Sequence, residues 1–495
     1  MSNKWLKACS VLPALLITPA LADTVTEPTE DLNGNHYFVS NGSTLTLGKS
    51  DVNSVDGVYS DWYHAVAGGV VQNHLGSVVV EDGTIFSNNA SYIRTEEQDA
   101  DLSESDGAEM GGAIYAQGES TEYATTEIGN NVEFNGNIAS AGGAIFLYGG
   151  NVVNFGDNVK FSGNKGTWNL PEDSFDSSAT GDGYGGAIAS TKADVQEDPN
   201  KLGPDNGNAI LTFKGKSTFE DNVADRQGGA ISLYGSQATF NGDALFTGNT
   251  ALAPSEGNVK GGGAISATDS EFVFNEGAAF ANNSATGAGG AIWNGVFAGS
   301  SSMTFNGSAS FENNSANNGG AIYNDGNMKF AGNAQFIGNS ADNTGGSTFG
   351  GAVYNKGDLE IEGATFSENR AENQGYGGAI FNASGGLLNV NNSVFEGNSA
   401  EWDGGAISST TSYLNPKSLP ADWDLGEWSV ENVRKYWEKK NGFDAANKMV
   451  ITNSTFSNNT VDSYSGGALG VYSDAVIDNT KFVGNNAGGH IPADS

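Results

Sequence analysis

Two short phrases alternate along most of the chain, and no other feature constrains its fold as strongly. G-G-A-I begins at Gly111, Gly142, Gly185, Gly228, Gly262, Gly289, Gly319, Gly377 and Gly404, with G-G-A-V at Gly350 and G-G-A-L at Gly466. F-x-x-N falls once per unit in step with it, at twelve phenylalanines from Phe86 to Phe482, and an alanine commonly follows two residues after its asparagine. A third apolar position precedes most of these phenylalanines, as at Phe305, Phe330 and Ile361. The units are short and rich in Gly, Asn and Asp, too broken for helices. They read as three brief strands separated by turns. A period of this kind means stacked units, each unable to bury its apolar face alone. The predicted fold is all-β: a right-handed parallel β-helix of about a dozen three-strand coils, with loop insertions.

Stacking gives each letter a task. Equivalent residues of successive coils lie about 4.8 Å apart. Phenylalanines would form one inward column and the isoleucines of G-G-A-I another. Asn314, Asn339, Asn369 and Asn398 would turn inward at a corner and bond one another as a side-chain ladder. The glycine pairs suit corners that need positive φ or close backbone approach.

The first residues are of another kind. Lys4 and Lys7 precede an apolar run from Ala8 to Leu21, and Ala20-Leu21-Ala22 offers a cleavage site. Residues 1–22 therefore read as a secretory signal peptide. Residues 23–80 are expected to be an irregular, capping region, and 81–495 the repeats. Cys9 is the only cysteine, so nothing after it can form a disulfide framework. No later stretch approaches the roughly 18 apolar residues of a membrane helix.

The formal net charge is −36, with acids spread along the chain. Such a surface repels nucleic acid and anionic lipid, and the four arginines are scattered. No nucleic-acid partner is expected. Calcium in acidic loops is conceivable, but no regular ligand spacing supports it, and no cofactor is expected.

Insertions fall at two corners of the unit. The largest, 408–449, carries Trp423, Trp428 and Trp437. Its segment Ser429–Asn441 has the capping and periodicity of one short inserted helix. Either this knob folds its aromatics against the flank of the solenoid or Trp423 and Trp428 form a ligand-binding patch. A second aromatic feature follows G-G-A-[IV]: Trp293, Tyr323, Tyr354 and Phe381 recur in four consecutive units, each followed by asparagine. If the aliphatic residue points inward, strand alternation sends the aromatic outward and the asparagine back in. The expectation is an exposed aromatic stripe over a second asparagine ladder; the alternative is a core role for these rings.

On these two motifs the chain resembles the polymorphic outer-membrane protein family, first known from chlamydiae, over about Phe86 to Asn485. The resemblance implies an autotransporter-type β-helix passenger: a surface-displayed adhesin exported through a C-terminal β-barrel. The residues up to Ser495 contain no run of alternating strands of about ten residues such as a barrel needs. The expectation is either a chain that continues into a barrel or a relative released or held by other means. Any membrane association would pass through that barrel.

Parallel β-helices also carry polysaccharide-active enzymes, which use paired carboxylates or a basic residue beside bound calcium. No such group breaks the repeat between Phe280 and Ile407, and the four histidines form no cluster in the sequence. The reading is not an enzyme. It is a secreted or outer-membrane, cell-surface protein that binds a host-cell surface protein or glycan, or else a structural spacer without a specific ligand.

Overall fold

The computed structural model describes residues 24–27, 37–49, 51–53, 56–57, 69–91, 110–119, 122–167, 183–192, 208–252, 261–343, 346–409 and 448–488. All of its strands belong to four parallel sheets, one of 14 strands and three of 13. They wind as a right-handed solenoid of thirteen coils.

Each coil visits four walls in the same order. In one coil the strand Ile322–Asn324 lies on what we term the GGA wall, Asn327–Phe330 on the middle wall, Ala334–Ile337 on the Phe wall and Ser340–Ala341 on the short wall. The next coil pairs with it in strict register, for example Tyr323↔Tyr354, Phe330↔Ile361, Phe336↔Phe366 and Ala341↔Ala371. The coil thus has four strands rather than the three expected. The fourth is only two residues long. It forms because the residues between the ladder asparagine and the glycine pair stay extended and turn their alanine inward, as Ala316 and Ala341 do.

Residues 23–80 were expected to be an irregular cap, and their described part is instead solenoid. Tyr37–Val39, Thr44–Leu47, Val71–His74 and Ser77–Val80 join the same sheets in register. These coils lack G-G-A-I, but Leu45, Leu47, Val71, Val78 and Val80 supply the buried aliphatics. The inserted helix expected at 429–441, Trp423, Trp428 and residues 1–22 lie outside the described residues.

The core is a set of columns. On the Phe wall the rings stack one coil upon the next, 4.8 Å apart between Phe311 and Phe336 and 4.4 Å between Phe336 and Phe366. Middle-wall phenylalanines form a second stack, as with Phe305 and Phe330 at 4.7 Å. The two stacks meet edge to face, as Phe330 and Phe336 do at 82°, the geometry favoured by the ring quadrupole. Each fully buried ring removes apolar surface worth about 1.5–3 kcal/mol from water.

The two glycines of each pair do different work. Gly319 has φ of 59°, a left-handed turn that closes the corner. Gly320 is there for space: a Cβ would lie 2.2 Å from the Gly351 carbonyl oxygen and 2.5 Å from that of Ser340. The same contact recurs up the column, Gly351 against Gly378 and Gly378 against Gly405. A side chain here would push the short wall away from the GGA wall.

An aromatic strip on the outer face of the GGA wall as candidate functional site

The strip is built on alternation along one strand. In Ile322–Asn324 the isoleucine and asparagine are fully buried inside the solenoid, and Tyr323 lies between them on the outer side. Register then aligns Trp293, Tyr323, Tyr354 and Phe381 in one column. None of the four belongs to the main core cluster. Beneath them Asn294, Asn324, Asn355 and Asn382 form a second amide ladder. Each Nδ2 donates to the next Oδ1, at 2.7, 2.8 and 2.8 Å. The ladder fixes the strand backbone that carries the rings.

The expected open stripe is only partly open. Trp293 and Phe381 are 6% and 5% exposed, while Tyr323 and Tyr354 are half-buried. The rings cover one another and their own backbone. The Trp293 indole lies over Gly295, where a Cβ would come within 1.8 Å of the ring, and it stacks on Tyr323 at 6.3 Å. Tyr323 and Tyr354 stack at 4.8 Å. Phe381 is enclosed by Tyr354 at 5.4 Å and Phe349 at 4.7 Å.

Phe349 belongs to a second outer column that sequence reasoning missed. It consists of the residues just before each glycine pair: Asn318, Phe349, Tyr376, Asp403 and Ser465 are bridged one to the next in parallel. Phe349 stacks on Tyr376 at 5.4 Å, Tyr376 meets Trp402 edge-on at 5.7 Å, and Trp402 meets Tyr464 at 5.4 Å. The contacts therefore run without a break from Trp293 to Tyr464, which is 61% exposed. The phrases F-G-G at Phe349 and Y-G-G at Tyr376 were the available signal. A shorter cluster on the same wall joins Tyr115, Phe146 and Ala189 near the other end, and Ser232 and Ser266 separate it from the strip.

The electrostatics are those of a contact surface. Burial, then Tyr354 and Asp325, push the Tyr323 phenol up; burial and Asp325 do the same to Tyr354. Both remain neutral donors at ordinary pH. Asp325 itself is paired with Lys356 at 3.0 Å. In the second column Asp403 is 3% exposed. Burial raises its carboxyl above the usual carboxylate range, against hydrogen bonds from Ser465, Tyr472, Gly404 and Ser408. Among the described residues, no group of three or more His, Cys, Asp or Glu is gathered so as to hold a metal ion.

The Chlamydia polymorphic membrane protein repeat model matches at five places: residues 216–234, 243–268, 308–325, 363–383 and 392–410. The described residues of each match fall on strands and corners of the solenoid. These five stretches are similar to polymorphic membrane protein repeats. Such repeats point to a structural or surface protein at the outer membrane or cell surface. The strip crosses three of the matched stretches, at Tyr323, at Tyr376 with Phe381, and at Trp402. No curated protein matches the chain.

Proposed function

We propose that the chain is a secreted, surface-displayed, adhesin-like solenoid of autotransporter type, whose GGA wall binds a host-cell surface protein or glycan through the aromatic strip. The observation that carries this reading is the unbroken line of rings from Trp293 to Tyr464. The rings stand outside the core, on a wall whose inward positions already suffice to bury the coil. Rings of this kind supply the energetic centres of protein contacts. Trp293 and Phe381 act as wedges that hold the line, and Tyr323, Tyr354, Tyr376, Trp402 and Tyr464 are the contact residues. Residues 1–22 serve as the export signal. A net charge of −36 disfavours anionic partners and favours neutral or cationic ones.

The triple variant Tyr323→Ala, Tyr354→Ala, Tyr376→Ala tests this reading, alongside a deletion of residues 410–447 that removes Trp423 and Trp428. Binding of the purified chain to host cells should fall in the triple variant while its circular dichroism is unchanged. A loss confined to the deletion moves the contact to the tryptophan insertion. Unchanged binding in both leaves the spacer reading, in which the solenoid holds distance and carries no ligand.

A further inference from the structure

The Phe wall presents a different surface. One of its two outward columns includes Thr218, Leu245, Ala279, Ser310, Gln335, Thr365, Val394 and Thr455, each paired with the next. Not one of these eight residues is charged, although Lys160 and Lys481 continue the column at its two ends and the other outward column of the wall carries Glu220, Glu312 and Glu396. Within the column the side chains shrink and grow again. Ala279 and Ser310 are small, with Leu245 on one side and Gln335 on the other. A cleft of about 500 Å³ opens there, bounded along the adjoining turns by Lys216, Asp243, Gly277, Ser308 and Asn333.

Gly277 keeps the mouth of this cleft open. A Cβ there would lie 2.8 Å from Asp243 Oδ1. The Gly277 N–H donates to that same oxygen at 3.1 Å, which orients the carboxylate and leaves Oδ2 as a further acceptor. Five successive coils line the cleft, so it runs about 19 Å along the solenoid axis.

We infer that this cleft binds a neutral, extended oligosaccharide lying along the axis. Its length admits several sugar rings in a row. Its lining combines an apolar floor, Leu245 and Ala279, with hydroxyl, amide and carboxylate groups spaced along one side, the mixture by which an uncharged sugar is held and oriented. The lone Lys216 cannot neutralise a polyanion, and the acidic chain around it repels one. The site is separate from the aromatic strip, so the two stand or fall independently.

The test is titration calorimetry of the full chain with neutral hexasaccharides (malto-, cello-, xylo- and chito-oligosaccharides) and with a heparin-derived hexasaccharide. Ala279→Leu with Ser310→Leu fills the floor from the outside and leaves the core untouched. Asp243→Asn removes the oriented carboxylate without adding bulk, so it serves where the filled variant does not fold. At least one neutral sugar should bind the parent, and either variant should weaken it about tenfold or more. Tyr323→Ala with Tyr354→Ala should leave that affinity unchanged. Absence of binding by every neutral sugar overturns the inference. So does equal or tighter binding of the heparin fragment, equal affinity in the cleft variants, or a loss that follows the tyrosines instead.

Discussion

Asn339 Nδ2 donates to Asn369 Oδ1 at 2.9 Å and to the Phe311 carbonyl oxygen at 2.8 Å, so one amide joins three coils. Its own Oδ1 accepts both the backbone N–H and the Nδ2 of Asn314, each at 3.0 Å. The same pattern holds at Asn314, Asn369 and Asn398, all fully buried. Replacing Asn339 by alanine strands several buried groups and should cost about 1–3 kcal/mol. Gln335→Ala, exposed in the same coil, should cost under about 0.5 kcal/mol. Thermal melts of the two variants check this, and equal shifts would contradict the ladder.

Two kinds of corner glycine predict a graded response. Gly397 has φ of 65° but open space around its Cβ position, so Gly397→Ala should cost only the left-handed strain of about 1–2 kcal/mol. Gly320→Ala drives a methyl into two carbonyl oxygens. It should cost about 3 kcal/mol or more, with backbone shifts in the neighbouring coils. Denaturant midpoints compare the two. A milder effect at Gly320 would mean that the corner yields more easily than its spacing implies.

One position offers stabilisation. The residue just before the ladder asparagine has positive φ throughout the F-x-x-N coils and is Gly, Asn or Asp except at Glu368, where φ is 57°. Glu368→Asn keeps a side chain but tolerates that conformation, and should raise stability by up to about 1 kcal/mol. A lower melting temperature in the variant would count against the strain argument.

Asp403 sets a pH dependence. Burial holds its folded-state carboxyl above the unfolded value. The stability it contributes is therefore fully present below about pH 4 and is lost as pH rises through the folded pKa. Asp403→Asn abolishes that term. Relative to the variant, the parent should be more stable at pH 4 than at pH 7. Melts of both chains at the two values check the sign, and a parent that gains on the variant toward pH 7 would reverse it.

The inward positions were legible in the sequence because each is reread by every coil. Phe336, Asn339, Gly319 and Gly320 each sit in an unbroken column, and a column repeats its letter. What sequence reasoning missed lies where neighbours, rather than the coil itself, decide. The burial of Trp293 depends on Gly295 and on Tyr323 thirty residues away in sequence, and that of Phe381 on Phe349. No local pattern encodes those contacts. The short wall escaped notice because two residues have no period to read. The first coils escaped because Val78 and Leu45 fill, in different letters, the places that other residues take later. The uncharged column from Thr218 to Thr455 becomes visible only once register places those residues side by side.

Both proposed surfaces exist only if the coils stack in register, and that can be measured directly. Thr218 and Val394 are 176 residues apart but stand in one outward column, six strand spacings from each other. Spin labels on cysteines placed at these two positions, in a chain with Cys9 replaced by serine, report their separation by double electron–electron resonance. The account predicts a single narrow distribution centred near about 29 Å. A broad distribution, or a peak well beyond about 40 Å, would contradict the stacked solenoid and both surfaces built on it.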